Sequence, residues 1–221
     1  MPLLPDGVRE RIKKDLSVNL AKKVRLVLFT QELECQPCRD VSQLTNEIAA
    51  LSDKVEVEAL DFVREGKRAE ELSVDKIPVL IVSGDDNYGV RFYGVPLGYE
   101  LKTLIEDMIR ASKGTTDLSD ESKRKLASVD KPIHIQVFVT LTCPYCPTTV
   151  GLAHQFALQN PKIRADMIES TGFPHLVRRY GVMGVPKVVI NEEIEFTGLI
   201  PEEQFVDSVL LALRSPKVYI V

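Results

Sequence analysis

Cys143-Pro144-Tyr145-Cys146 lies between an apolar run (Ile133, Ile135, Val137, Phe138, Val139) and a segment of helical character at 150–159. This places a pair of thiols at a strand-to-helix turn. A second pair, Cys35-Gln36-Pro37-Cys38, follows another apolar run (Val24, Leu26, Val27, Leu28, Phe29), and 108 positions separate Cys35 from Cys143. A proline repeats in the same register, since Pro78 and Pro186 are also 108 positions apart and each stands 43 positions after its first cysteine. The chain has 13 prolines and 4 cysteines in 221 residues, so two prolines in register with all of the cysteines point to an internal repeat.

That length suits two units of about 110 residues, each able to bury a core, and the repeat favours two over one. The Lys-Gly-Thr-Thr-Asp stretch at 113–117 is small, polar and without periodicity, the character of a linker. The expected division is therefore 1–116, holding Cys35 and Cys38, and 117–221, holding Cys143 and Cys146. A hydrophobic content of 44% and a charged content of 27% are those of a globular protein rather than a disordered one. No apolar run reaches the roughly 18 residues of a membrane span, and charged residues throughout positions 1–20 argue against a secretory signal. The expectation is an intracellular, cytoplasmic protein with no membrane association. With a net charge of −4 and no basic stripe, nucleic acid is an unsuitable partner. Paired cysteines in a reducing compartment serve metal binding or redox chemistry.

Each half gives the same order of elements. In the first, Asp6 is expected to cap a helix with Val8, Ile12, Leu16 and Leu20 on one face. A buried strand at 24–30, the dithiol and a second helix follow. An alternating strand at 55–60, a short charged helix at 64–72, a hairpin turning at Asp85-Asp86-Asn87 and ending at Gly94, and a closing helix complete the half. Ser119 then caps the first helix of the second half, with Asp120 and Glu121 in its opening turn. Asp61 matches Glu169 at the common offset, whereas the segment 217–221 has no counterpart and reads as an added strand or an interface segment.

A CxxC at a strand-to-helix turn, with a proline after a β-branched residue some forty positions later, resembles the thioredoxin fold. Two copies in one short chain resemble the protein disulfide oxidoreductases of thermophilic archaea and bacteria, also called glutaredoxin-like or PDI-like proteins. The resemblance implies an α/β chain of two tandem thioredoxin-like units, each a central mixed sheet flanked by helices. It also implies that Pro78 and Pro186 are cis, and that Ile77 and Val185 offer their backbone to an extended substrate segment. One position departs from the pattern. Thioredoxins carry a buried Asp six residues before the first cysteine, where this chain has Phe29 and Val137.

The chemistry of the pairs follows from thiol-disulfide exchange, which needs an accessible thiolate and a second thiol near enough to resolve a mixed disulfide. The unpaired N–H groups at a helix start favour the thiolate by roughly 0.3–2 kcal/mol, about one pKa unit. Cys35 and Cys143 are thus the candidate nucleophiles, and Cys38 and Cys146 the resolving thiols. Glu32, Glu34 and Asp40, countered mainly by Arg39, flank the first pair, while 137–145 carries no charge. Because carboxylates disfavour a thiolate, Cys143 is expected to be the more acidic thiol and its pair the more oxidising.

A zinc site shared by the two pairs is disfavoured by the 104 residues between them, against roughly 12–20 in a finger or ribbon. His154 and His175 are expected on helix surfaces and His134 in a structural role. Gly181 and Gly184 precede a strand rather than a helix, so they do not form a nucleotide loop. No metal and no cofactor are expected, and electrons are expected from a separate thioredoxin-reductase-like donor. The main reading is a catalyst of reduction, formation and isomerisation of protein disulfides. The alternatives are an electron relay for a peroxidase system and a peptide-binding, chaperone-like module.

Overall fold

In the computed structural model, which describes residues 2–32, 35–84 and 87–214, the runs of β-branched and aromatic residues form strands, and the four-residue apolar periodicities form helices. The first half comprises α1 (Asp6–Asn19), β1 (Val24–Thr30), α2 (Gln36–Ala49), β2 (Val55–Asp61), α3 (Gly66–Glu71), β3 (Val79–Gly84), β4 (Asn87–Tyr93) and α4 (Glu100–Lys113). The second comprises α5 (Asp120–Ala127), β5 (Ile133–Val139), α6 (Cys146–Gln159), β6 (Ile163–Glu169), α7 (Pro174–Arg179), β7 (Lys187–Ile190), β8 (Ile194–Thr197) and α8 (Glu202–Arg214). Glu34, Asp85, Asp86 and the segment 217–221 lie outside the described residues.

Several local expectations are corrected. Pro5, with its fixed φ, occupies the cap of α1, and Asp6 is the first helical residue with no side-chain capping bond. Ser119 does cap α5, accepting from the Ser122 N–H. The helix expected over 64–72 is only six residues long, because Asp61 Oδ1 holds the Val63 and Arg64 N–H groups in a turn at 3.0 and 2.9 Å. The helix after the second dithiol begins at Cys146 rather than at 150. Strand pairing also shows that the repeat is not uniform. Val24 pairs with Val55 as Ile133 pairs with Ile163, so the first strands are offset by 109 and the loop before Cys143 is one residue shorter. Phe29 therefore matches Phe138 rather than Val137.

Among the described residues, eight strands form one sheet in the order β2-β1-β3-β4-β6-β5-β7-β8. Each unit contributes the same four-strand pattern, and the units join where β4 runs parallel to β6. At that seam Val90, Arg91, Phe92 and Tyr93 stand beside Ala165, Asp166, Met167 and Ile168. The seam converts an edge into an interior. β6 is buried along almost its whole length, whereas its counterpart β2 alternates Val55 and Val57 with Glu56 and Glu58 and is largely accessible. One face of the sheet is covered by α1, α2, α4, α5, α6 and α8 through residues such as Ile12, Val41, Leu104, Val150 and Phe205. The other is covered by α3 and α7 through Ala69 and Leu176.

Candidate active site

Both dithiols open on the same edge of the sheet. β1, β4, β6 and β5 all run in one direction, so the loops after β1 and β5, which carry the cysteines, emerge at the same end of the strands. Four strand steps separate them, on the order of 19 Å. That gap is too wide for direct sulfur-to-sulfur exchange.

Within each site the parts are arranged alike. The pairs Cys35–Cys38 and Cys143–Cys146 are disulfide-bonded, with Cα atoms 5.3 and 5.5 Å apart. The Cys38 N–H donates to Cys35 Sγ at 3.2 Å, and the Cys146 N–H donates to Cys143 Sγ at the same distance. A helix start thus points a backbone donor at the first sulfur of each pair, where it would stabilise a thiolate. Pro37 and Pro147 fit the first turns because their missing N–H groups would have no helical acceptor there. The second cysteine is the deeper one in both sites: Cys38 is 2% exposed and Cys146 fully buried, against 8% for Cys143 and a half-buried Cys35.

The peptide bonds Ile77–Pro78 and Val185–Pro186 are cis. Each proline carbonyl accepts from the glycine that ends the following hairpin, Gly94 at 3.1 Å and Gly198 at 2.8 Å. The Val185 carbonyl oxygen lies 3.9 Å from Cys143 Sγ, so the residue before the cis proline faces the dithiol.

The surroundings of the two sites differ. Tyr145 (64% exposed) and Met183 (97% exposed) form an apolar rim at the second site. Their counterparts at the first, by the common offset, are Pro37 and Asp75. The first unit also leans on the second site: the Tyr99 N–H donates to Leu141 O at 3.2 Å, and Gly98 (φ +60) lies so close that a Cβ would fall 2.3 Å from that oxygen. Glycine is required at that approach. At the first dithiol the equivalent flank is open, a cavity of about 560 Å³ bordered by Cys38, Ser42, Leu60 and Asp61.

Neither β1 nor β5 supplies a carboxylate. The other unit instead carries a buried carboxyl on α4, the helix packed beside α6. α4 and α6 run parallel, tied by Tyr99 to Leu141 at one end, by Asp107 Oδ2 to His154 Nδ1 at 2.6 Å midway, and by the Asp117 N–H to Gln155 Oε1 at 2.7 Å beyond. Glu100, in the first turn of α4, therefore sits beside the end of α6 that Cys146 begins. Its side chain is fully buried, and Thr103 Oγ1 donates to it at 2.9 Å. Burial pushes its carboxyl up to about 7, against the smaller opposing effects of Thr103 and His154.

Sequence reasoning missed Glu100, although a signal existed. Positions 100, 104, 107, 108 and 111 share one helical stripe, so Glu100 and Asp107 interrupt an apolar face. His154 is likewise not a surface residue as expected: it is fully buried, bonded to Asp107 and edge-on to Phe92. His175 is exposed. His134 has a structural place, 2.6 Å from the buried Asp166 at the end of the sheet away from the cysteines. There, burial pushes Asp166 up, but His134 and Arg164 outweigh it and hold the carboxyl below its ordinary range. Glu169 and Asp61 are equivalent in role as well as position, each holding the turn after its strand. Among the described residues no cluster of three or more His, Cys, Asp or Glu is placed to hold a metal ion, and no helix is long and apolar enough to cross a membrane.

Comparison with known proteins agrees with this geometry. A family model described as a thioredoxin domain matches residues 133–211. The crystal structure of a protein disulfide oxidoreductase from Aeropyrum pernix is similar over 93% of this chain and 91% of its own, with a TM-score of 0.87 and 28% identity. Among curated proteins, an alkyl hydroperoxide reductase component of Escherichia coli is 26% identical over 189 residues and a protein named NADH dehydrogenase from Bacillus subtilis 27% identical over 168. Those matches take in 86% and 76% of this chain but 34% and 31% of the relatives, so the chain spans about a third of their length. The architecture is that of two tandem thioredoxin-fold units.

Proposed function

We propose that the chain is a thiol-disulfide oxidoreductase acting on protein disulfides, with units at 1–116 and 117–221. The observation that carries this reading is that a backbone N–H meets the first sulfur of a CxxC at a helix start next to a cis-proline strand, and that it does so twice.

In the reducing direction, the thiolate of Cys35 or Cys143 attacks one sulfur of a substrate disulfide. A mixed disulfide forms and one substrate thiolate leaves. Cys38 or Cys146 then loses its proton and attacks the sulfur of the first cysteine, which releases the second substrate thiolate and leaves the enzyme disulfide. Two electrons pass from the enzyme dithiol to the substrate. At the second site Glu100 is the group that takes the Cys146 proton, since a carboxyl poised near neutrality can both accept and return one. The backbone at Ile77 and Val185 receives an extended substrate segment by strand addition. The apolar rim of Tyr145 and Met183 favours the second site for partly unfolded protein chains. The same steps in reverse form disulfides, and an unresolved mixed disulfide permits isomerisation. Re-reduction falls to a separate thioredoxin-reductase-like donor in the cytoplasm.

The test is recovery of activity from scrambled ribonuclease with each cysteine pair changed to serine. Loss of recovery in the four-serine variant supports the proposal, and full recovery without thiols would make the chain a peptide-binding module. The likeness to the alkyl hydroperoxide reductase component favours a second reading, an electron relay. Peroxidase-coupled turnover with no effect on scrambled ribonuclease would establish that reading instead.

A further inference from the structure

The two units are related by translation along the sheet, so each edge of the sheet carries half of an interface of the kind found at its centre. At the centre, β4 pairs with β6, and the turn at 94–99 covers the flank of the second dithiol. The counterpart of β4 is β8 and that of β6 is β2. Among the described residues neither β8 nor β2 has a further strand beside it.

Strand pairing fixes which residues correspond. Arg91 stands opposite Ile81 and Glu195 opposite Val189, 108 positions on, so Glu195 takes the place of Arg91. Asp166 and Glu58, also 108 apart, correspond in the same way. Repeating the central seam between two molecules would set Ile194 beside Val57, Phe196 beside Ala59 and Thr197 beside Leu60. It would also set Glu195 beside Glu58, where the central seam has Arg91 beside Asp166. Three of the four pairs fit. The fourth places like charges side by side, which is unfavourable.

The surface next to this edge suits a reversible contact. α2 presents Ser42 and Asn46 where α6 presents Val150 and His154, so the flank that is sealed in the second unit is polar in the first. The open cavity there has Glu32, Asp61 and Glu65 against Arg39 and Arg64, an excess of acid, and Cys38 lies in its wall. A strand paired with β2 would therefore deliver its following turn directly beside the first dithiol.

We propose that the β2 edge and the cavity beside Cys38 form a docking surface for a partner protein whose exposed edge strand sets a basic residue beside Glu58 and ends in a glycine turn. Glu195 keeps a second copy of this chain out of the same place. The surface is a means of bringing a redox partner to the first dithiol alone, since the matching flank of the second is already filled.

The chain itself can be turned into the probe. Glu195→Arg gives β8 the charge that Arg91 has at the centre, and Glu58→Lys gives β2 a charge that accepts the native Glu195. Each full-length single variant is expected to associate head to tail, its weight-average mass rising with concentration to about twice the wild-type value or more, because such a contact does not close on itself. The double variant restores like charges and is expected to keep the wild-type mass. In the associated single variants, alkylation of the reduced Cys35–Cys38 pair should slow severalfold while that of Cys143–Cys146 is unchanged. Glu195→Arg also removes the 3.0 Å contact of Glu195 with Lys187, so Glu58→Lys poses the same question without that change. Wild-type mass in both folded single variants, or association of the double variant equal to theirs, would overturn the proposal.

Discussion

Gly94 and Gly198 end the same hairpin in the two units and share a left-handed backbone, with φ +98 and +92, yet their surroundings differ completely. A Cβ on Gly94 would fall 2.7 Å from the Cβ of Glu169, across the seam, whereas one on Gly198 would meet nothing within 4 Å. The repeat sets the backbone, and the neighbouring unit decides what the backbone must tolerate. The dithiols differ for the same reason. The second is flanked by the first unit, whose α4 carries a buried carboxyl beside α6, and keeps an apolar rim of its own; the first has an open, charged flank.

The largest effect expected from this difference belongs to Glu100. Its carboxyl is raised from an ordinary 4.5 to about 7 by burial, so between those values the folded chain holds a proton that the unfolded chain has lost. Stability is therefore fully present below about pH 4.5 and declines by about 3 kcal/mol as pH rises through 7. Glu100→Gln should flatten this decline in urea titrations between pH 4.5 and 8, and should slow the resolving step at Cys146 but not at Cys38. Identical pH profiles for wild type and variant would remove Glu100 from the account.

The glycines come next. Gly94→Ala combines a backbone cost of 1–2 kcal/mol, on the order expected for a side chain in the left-handed region, with an overpacking cost of about 1–3 kcal/mol. Gly198→Ala carries only the first. Thermal or urea unfolding should separate the two variants by about 2 kcal/mol, and equal losses would mean that the seam does not hold Gly94 in place.

Smaller again is the contribution of the apolar rim. Met183→Asp gives the second site the residue that Asp75 supplies at the first. Loss of one exposed apolar contact of roughly 1 kcal/mol corresponds to a severalfold rise in KM for a protein disulfide. Turnover of a small disulfide such as oxidised glutathione should be unchanged. Equal effects on both substrates would argue against a role in protein binding.

Most of this architecture was legible in the chain because repetition made it so. Cysteines and prolines in common register fixed where strand, helix and hairpin recur, and the apolar periodicities supplied their faces. What the sequence did not disclose were relations between the units. β4 and β6 each read as ordinary strands, and nothing local says that they pair with one another. Glu100 belongs to one unit by sequence and to the other's site by position, and His154 reads as a surface residue until α4 covers it. Only the interruption of the α4 stripe by Glu100 and Asp107 hinted at a buried polar layer.

Non-equivalence of two complete dithiols is the central claim, and it can be measured at the sulfurs. Glu32 and Asp40, countered mainly by Arg39, lie near the first pair, while the stretch before Cys146 is uncharged and burial keeps the Glu100 carboxyl protonated up to about pH 7, so below that pH the thiolate of Cys143 should form more readily and its disulfide should be the stronger oxidant. Each pair can be titrated separately in glutathione buffers, with mass tags to report the redox state of each. A higher potential is expected at Cys143–Cys146, by roughly 60 mV for a thiolate gap of ~2 pKa units. Equal potentials, or the higher value at Cys35–Cys38, would contradict the account.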